Sequence, residues 1–210
     1  MSNKVKSWNV ISGGPSRAYL TEADLIPDCP VVSVNRAIDV VERGIHVDFA
    51  AFADPPLHLI GAFKLDKYLV PPIQVWVPRA GFYTQNGKIA LHDVVTLWEP
   101  HLPSSVGIRT MPFGTVPADD NVQRFLFCLL AALERIMMFR PEVVRILCAD
   151  MMGTWDPGKT EEECEKGQQG AAATPFKRWQ HEKKQLEALE ERANKVGARF
   201  EYRTPSVVTA

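Results

Sequence analysis

The stretch VISGGPSRAYL, residues 10–20, places two glycines, a proline and a serine between a short apolar run and a segment that favours a helix. The apolar run belongs to WNVIS, residues 8–12, which we interpret as the first strand. The helix is expected near Arg17–Leu25. A strand, a glycine-rich turn and a helix in this order are typical of the opening of a parallel α/β fold.

Apolar runs of strand length alternate with helix-like segments along the rest of the chain. These runs are nearly continuous in apolar residues, as strands covered on both faces tend to be. The alternation predicts a Rossmann-like α/β fold, in which helices flank a mostly parallel sheet. The further predicted strands are CPVVSVN (29–35), VDFAAFAD (47–54), IQVWVPR (73–79), VVRILCAD (143–150) and RFEYRTPS (199–206). The predicted longer helices are AIDVVERGI (37–45), closed by Gly44, NVQRFLFCLLAALERIMMF (121–139), capped by Asp119 or Asp120, and WQHEKKQLEALEERANKVG (179–197).

A polar segment precedes the last predicted helix. Residues 152–178 are rich in glycine and poor in aliphatic side chains. Such a segment is either disordered or a mobile lid over a binding site, and we predict the lid. In the helix that follows, Gly197 provides the stop. The apolar residues that recur there at helical spacing are Leu186, Leu189, Ala193 and Val196.

The composition indicates one ordinary globular domain over residues 1–210. The chain is 46% hydrophobic and 23% charged, and its net charge of −1 does not indicate a nucleic-acid or anionic-membrane partner, although nucleic acid is left open. No apolar run approaches the roughly 20 residues of a membrane span, and the first residues lack the apolar core of a signal peptide. The four cysteines form no C-x-x-C pair, which favours reduced thiols and a cytoplasmic location.

Polar residues follow several predicted strands, at the point where each strand ends. They are the turn Gly13-Gly14-Pro15-Ser16, Asn35, Asp54 and Asp150. In a parallel α/β sheet, ligands bind beyond the carboxyl ends of the strands, so these residues are candidates for one shared site. Glycines admit an anion to backbone N–H groups, and the N-terminus of the next helix favours negative charge. Pro15 suits the first turn of that helix, because its missing N–H costs nothing there.

A structural interpretation of the same residues stays open at this point. The glycines can form an ordinary turn, Ser16 can cap the helix, and Asp54 can end a strand before Pro55-Pro56. From the residues alone, we therefore predict an α/β protein with a phosphate or nucleotide site. The chain contains no Asp-x-Asp motif, and adjacent acids such as Asp119-Asp120 are more typical of a helix cap, so we predict no metal site.

Several segments resemble one known family. VISGGPS, VVSVNRAID and DFAAFADP are similar to the opening of the bacterial family 42 sialyltransferases, which has a strand, Gly-Asn-Gly-Pro-Ser, a short helix and a strand ending in Asn. The opening is also similar to the MptE-like proteins, which include archaeal hydroxymethyl-dihydropterin pyrophosphokinases. VVRILCADMMG resembles the family's strand before a Gly-x-Asp-Phe segment, and QHEKKQLEALEERANKVGARFEYRTPS resembles its closing His-bearing helix and last strand.

The resemblance implies roles for individual residues. Gly14, Pro15 and Ser16 would lie at the phosphate of a donor nucleotide, and Asn35 would contact the nucleotide or its sugar. His181 would be the general base that takes a proton from an acceptor hydroxyl, since imidazole titrates near 6.5. The alternative for His181 is an ordinary surface histidine, because it lies roughly 80° from Leu189 and 140° from Leu186 on an ideal helix.

The sequence departs from the family's pattern at the turn and in the lid. Gly13 stands where the family has Asn, and Ser12 stands where it has the first glycine. The lid contains no tyrosine, whereas the family places lid tyrosines against the leaving phosphate. Our hypothesis is that Lys159, Lys177 or Arg178 neutralises the developing charge instead.

These inferences lead to one leading function and two alternatives. The first is a metal-independent transferase with a CMP- or UDP-linked donor, a sialyltransferase-like glycosyltransferase that needs no cofactor and acts on an unidentified hydroxyl acceptor. In it, Asp54 and Asp150 would shape the site or bind donor or acceptor hydroxyls. The alternatives are an MptE-like pyrophosphokinase that requires ATP and Mg²⁺, and a non-catalytic nucleotide-binding protein. A homo-oligomer is left open, because the related transferases often assemble.

Overall fold

A computed structural model of the chain describes residues 6–53, 56, 59–60, 64–85, 88–111, 128–149 and 175–206. Seven strands form one sheet in the order β7-β4-β3-β2-β1-β8-β9, and every pair of neighbours is parallel. The strands of the described part are, in chain order, β1 Ser7–Ile11, β2 Val31–Val34, β3 Phe49–Ala51, β4 Gln74–Pro78, β5 Ala80–Gln85, β6 Lys88–Asp93, β7 Ile108–Met111, β8 Val143–Leu147 and β9 Arg199–Arg203. The predicted Rossmann-like α/β fold is confirmed.

Helices of two kinds connect the strands. The α-helices in the described ranges are α1 Val94–Trp98, α2 Cys128–Met137 and α3 Pro175–Lys195. The 3₁₀ helices are Pro15–Tyr19, Glu22–Asp24, Asn35–Arg43, Leu65–Tyr68 and Glu99–His101. The single short helix predicted near Arg17–Leu25 is therefore two separate 3₁₀ helices. Gly44 closes the helix after β2 with a φ of +82°, as predicted, because glycine adopts the left-handed backbone of a helix end without strain.

The alternation of side chains along the strands places one apolar core on each face of the sheet. On β1, Trp8 and Val10 face α2 and α3, whereas Ile11 faces α1 and the 3₁₀ helices. On α3, Leu186, Leu189 and Ala193 are buried as predicted, since they share one face of the helix. The core residues of the α2–α3 face that come from the helices are Cys128, Leu129, Leu130, Ala131, Ala132, Leu133, Ile136, Leu186, Leu189 and Ala193.

Val196 does not belong to the buried face of α3, contrary to the prediction. The helix ends at Lys195, and Val196 lies in the following turn with 70% of its surface exposed. Gly197 has a φ of +82°, and its N–H donates to the Asn194 carbonyl at 3.1 Å. The predicted glycine stop is therefore confirmed.

The sequence analysis did not predict β5, β6 or β7. The first two pair with each other as an antiparallel hairpin outside the main sheet. The Asn86-Gly87 dipeptide between them is a strong hairpin signal, which the emphasis on apolar runs left unused. β7 is short, and among the described strands it pairs with β4 alone, at one end of the sheet.

Some predicted elements lie outside the described residues. These are the cap at Asp119 or Asp120, residues 121–127 of the predicted second long helix, and residues 152–174 of the predicted lid. Residues 175–178 form the beginning of α3. Among the residues that the structure describes, no helix is both long enough and apolar enough to cross a membrane.

Asn9 shows how the chain between β1 and β2 is fixed to the sheet. Its side chain is fully buried. The Ile26 N–H donates to Asn9 Oδ1 at 2.8 Å, and Asn9 Nδ2 donates to the Ile26 carbonyl at 3.0 Å. Both polar ends of the amide are satisfied, so a side chain in the middle of β1 determines the path of a loop that lies 17 residues away in sequence.

Candidate functional site

The strand order places a topological switch point between β1 and β8. From β1 the chain builds β2, β3, β4 and β7 toward one side of the sheet, and it then returns to build β8 and β9 on the other side. In open α/β sheets, ligands bind in the crevice beyond the carboxyl ends of the strands at such a point. Gly13 and Gly14 follow β1 at this crevice, and Cys148 follows β8.

The glycine turn is hydrogen-bonded to the end of β8. The Ser12 N–H donates to the Leu147 carbonyl at 2.8 Å, and the Gly14 N–H donates to the Cys148 carbonyl at 3.0 Å. The Gly14 N–H, one of the donors that the sequence analysis expected to face an anion, is thus used inside the protein. The turn is positioned at the crevice by the same hydrogen bonds that occupy this donor.

The helix after the turn is a 3₁₀ helix of only five residues, Pro15–Tyr19. Pro15 stands in its first turn, as predicted. Gly14, with a φ of −64° and a ψ of 159°, occupies the cap position without a side-chain hydrogen bond, so the alternative of Ser16 as the cap is wrong. Because so short a helix aligns few peptide dipoles, it contributes less to anion binding than the longer helix that the prediction assumed.

Gly13 has no structural reason within the described residues to be glycine. Its φ lies outside the left-handed region, and a Cβ built on it would have no described atom within 4 Å. Glycine is required where the backbone adopts a positive φ or where another group approaches closely. The described part of the chain shows neither requirement at Gly13, so its atoms leave open space beside this residue at the carboxyl ends of the strands.

Arg17 is a residue of this site that the sequence analysis missed. It is only 5% exposed. Its Nε and Nη2 donate to the two carboxylate oxygens of Asp39 at 2.8 and 2.9 Å, and its Nη1 donates to the Gly13 carbonyl at 2.7 Å. Arginine is ordinarily exposed. The position of Arg17 in the sequence therefore gave no signal that its side chain would be buried against the glycine turn.

Two residues that flank the end of β1 have left-handed backbone conformations. Asn35, the first residue after β2, has a φ of +50°, and Cys148, the first after β8, has a φ of +58°. Asparagine tolerates this region, but cysteine adopts it rarely. Residues in such conformations cluster at functional sites. Asn35 is half-buried and begins the 3₁₀ helix that carries Asp39.

The proposed base His181 lies in the N-terminal part of α3, with Lys177 and Arg178 before it. Tyr202, one residue before the end of β9, donates its hydroxyl to Glu190 Oε2 at 2.9 Å. The connection from α3 to β9 is short, so the helix axis points in the direction opposite to the strands. His181 precedes Glu190 by nine positions, which puts its backbone about 13 Å further toward the carboxyl side of the sheet.

The remaining predicted site residues, Asp54 and Asp150, lie outside the described residues. Of the others, Gly13, Gly14 and Ser16 follow β1 and Asn35 follows β2, and these two strands are neighbours in the sheet. Within the described ranges, His, Cys, Asp and Glu side chains form no group of three or more that could hold a metal ion. Cys29 is a free thiol.

An ionic network lies beside the crevice, under the loop that follows β1. Arg203 Nε donates to Asp24 Oδ1 at 2.8 Å, and Arg145 Nη1 donates to the Asp24 carbonyl at 3.1 Å. Burial by itself raises the pKa of Asp24. The hydrogen bonds from the backbone and side chain of Thr21, together with Arg203, outweigh burial, so the net effect is a lowered pKa.

A separate surface cavity of about 310 Å³ lies at the amino ends of the strands, beside the residues that precede β3 and β4. Its polar rim includes His46, Lys67 and Tyr68. Glu42 accepts hydrogen bonds from Lys67 Nζ at 2.7 Å and from the Tyr68 hydroxyl at 2.5 Å. Lys67 and Tyr68 thus bind Glu42, and His46 Nε2 lies 3.1 Å from Asp48 Oδ1. Because the cavity also lies away from the carboxyl ends of the strands, we place the candidate site at the switch point.

The chain matches no protein-family model, no curated protein and no solved structure at a significant level. The candidate site is therefore defined by the geometry of this chain itself. That geometry consists of three parts. They are a glycine turn hydrogen-bonded to its neighbours, two residues with left-handed backbone just after β2 and β8, and the N-terminal part of α3 on the carboxyl side of the sheet.

We predict that acid weakens the fold through Asp24. A carboxylate with a lowered pKa adds stability that is complete above its unfolded value of 3.8 and is lost as the pH falls through the lower folded value. In Asp24→Asn, the free energy of unfolding should therefore decline less between about pH 5 and pH 2 than in the wild type. Urea unfolding at a series of pH values measures this difference.

Asp66→Asn is the matched control, because Asp66 is exposed. We expect this variant to keep the wild-type pH dependence. A decline in Asp24→Asn as steep as that of the wild type would contradict a contribution from Asp24.

Proposed function

We propose that this chain is a metal-independent transferase that takes a sugar from a CMP- or UDP-linked donor, and that it acts as a sialyltransferase-like glycosyltransferase. One observation carries the nucleotide site. Gly13 stands at the switch point of a parallel sheet, lacks a positive φ, and has no atom of the described residues within 4 Å of where its Cβ would be. A nucleotide phosphate that approaches the backbone closely accounts for a glycine that the described residues do not require.

In this proposal, the two strand ends beside the crevice bind the donor. Gly14, Pro15 and Ser16 lie along its phosphate, and Asn35 contacts the nucleoside or its sugar. Asn35 and the glycine turn follow neighbouring strands, β2 and β1. This closeness supports one ligand that spans both.

The proposed reaction is a direct displacement at the anomeric carbon of the donor sugar. The acceptor oxygen forms a bond to that carbon as the bond from the carbon to the phosphate oxygen breaks. His181 takes the proton of the acceptor hydroxyl, and the bonding electron pair leaves with the nucleotide. Lys177 and Arg178 neutralise the charge that develops on the phosphate. The position of the N-terminal part of α3 toward the carboxyl side of the sheet supports these roles.

We also propose a cytoplasmic location. Cys29 is a free thiol, and the sequence contains no C-x-x-C pair. Free thiols suit a reducing compartment. The absence of an Asp-x-Asp motif from the sequence supports the choice of a transferase that needs no metal.

The first prediction of this proposal is that CMP or UDP raises the melting temperature of the purified protein without Mg²⁺. A nucleotide at about 100 times its Kd adds about 2.7 kcal/mol of stability, which a thermal-shift screen detects. The screen includes CMP, UDP, GDP, ADP and ATP, each with and without Mg²⁺. Stabilisation by ATP only with Mg²⁺ would instead indicate a pyrophosphokinase, and no shift with any nucleotide would overturn the proposal.

A second prediction concerns Gly13→Ala. The added methyl group meets no described atom within 4 Å, so the variant should be as stable as the wild type, or more stable by up to about 1 kcal/mol. It should nevertheless bind the stabilising nucleotide at least tenfold more weakly, because the methyl group occupies space that the ligand uses. Isothermal titration calorimetry measures the affinity, and urea unfolding measures the stability.

Gly107→Ala is the matched control for this substitution. A Cβ there would meet Gln74 Cγ at 3.9 Å, an ordinary contact, and Gly107 precedes β7 at the opposite edge of the sheet. We expect its nucleotide affinity to equal that of the wild type. Unchanged affinity in Gly13→Ala would mean that no ligand approaches this turn.

The third prediction addresses the chemistry. His181→Ala should lower the release of nucleotide from a CMP- or UDP-linked sugar by about 10²- to 10⁴-fold, because a general base contributes that much. Donor affinity should not change. His46→Ala, at the opposite edge of the sheet, should keep the wild-type rate. Nucleotide binding by the wild type with no turnover would indicate a binding protein rather than a transferase.

A further inference from the structure

Arg17 connects the glycine turn to the helix after the neighbouring strand. Its guanidinium is buried and forms a two-point ion pair with Asp39, while its third nitrogen donates to the Gly13 carbonyl. Asp39 lies in the 3₁₀ helix Asn35–Arg43. All three nitrogens of Arg17 therefore donate inside the protein, and the Asp39 carboxylate balances the charge.

These contacts fix a single peptide group of the turn. The Gly13 carbonyl and the Gly14 N–H belong to the same peptide plane and point in opposite directions. Arg17 holds the carbonyl end at 2.7 Å, and the Cys148 carbonyl holds the N–H end at 3.0 Å. The Gly13–Gly14 peptide is thus clamped from β8 on one side and from the helix after β2 on the other.

We propose that Arg17 is a positioning residue for the nucleotide site. By gripping Asp39 and the Gly13 carbonyl together, it holds the Gly13–Gly14 turn and the helix that begins at Asn35 in the arrangement that binds the donor. This inference rests on the proposed function. A lysine cannot replace the arginine, because an ammonium group lacks the planar fork that reaches both carboxylate oxygens and the carbonyl.

The test compares Arg17→Lys with the wild type in two measurements. The Kd for CMP and UDP, measured by calorimetry, should rise at least tenfold. The hydrogen-exchange rate of the Gly14 amide, measured by NMR without ligand, should rise at least tenfold as well, because the clamped peptide is released. Asp39→Asn, which keeps one neutral acceptor, should shift both quantities in the same direction by a smaller factor.

Arg145→Lys provides a matched control. Arg145 has a similar pattern of contacts. Its Nε and Nη2 both donate to Glu201 Oε2, at 3.3 and 3.0 Å, and its Nη1 donates to the Asp24 carbonyl. It does not contact the glycine turn. We expect this variant to keep the wild-type nucleotide affinity and Gly14 exchange rate, even where its melting temperature falls.

The outcomes separate this inference from the proposed function. If the wild type binds a nucleotide and Arg17→Lys binds it equally tightly, the positioning role is overturned and the proposed function stands. Equal losses of affinity in Arg17→Lys and Arg145→Lys would reduce Arg17 to a general structural role and also overturn the inference. If the wild type binds none of the nucleotides, the proposed function fails, and the positioning role fails with it whatever the Gly14 exchange rate shows.

Discussion

The structure depends on the pairing of β1 with a parallel strand on each side. β1 pairs with β2 from Asn9 to Ile11 and with β8 along its whole length. Parallel neighbours must be joined by crossover connections, and the direction of crossover reverses at β1, so a crevice opens beyond its carboxyl end. The hydrogen bond from the Gly14 N–H to the Cys148 carbonyl extends this pairing past the strands. The turn is therefore fixed at the crevice by the sheet itself.

The two faces of the sheet carry different kinds of side chain. The face under α2 and α3 is apolar, and burial of its aliphatic and aromatic side chains contributes to the driving force for folding. The other face is apolar near its centre, but toward β8 and β9 it carries Asn9, Arg145 and Glu201. Hydrogen bonds to buried polar groups add little net stability, yet leaving them unmade is costly. These groups therefore determine the path of the loop after β1 more than they stabilise the fold.

The candidate site is built from both sides of the sheet. The glycine turn, Asn35 and the Arg17–Asp39 pair belong to connections on the face opposite α2 and α3. α3 packs on the other face, and its N-terminal part extends toward the carboxyl side of the sheet. In the proposed reaction, groups that bind the nucleotide and the group that takes the proton therefore come from opposite faces. They can meet only beyond the ends of the strands, where the switch point lies.

The secondary-structure features that depend on neighbouring residues along the chain could be predicted from the sequence. Continuous apolar runs, separated by helix-like segments, predicted the strands of a parallel α/β sheet. Helical spacing predicted the buried face of α3, and glycine predicted the helix ends at Gly44 and Gly197. It also located the turn at Gly13 after the first strand, although not the contacts that hold it.

The strand order, the burial of Arg17 and the ionic partners of the loops depend on tertiary contacts, and the sequence did not predict them. Arg17 and Asp39 are 22 residues apart, and Arg203 and Asp24 are 179 apart. A charged side chain carries no local sign of whether it will be solvated or paired, because its partner is chosen by the packing of distant strands.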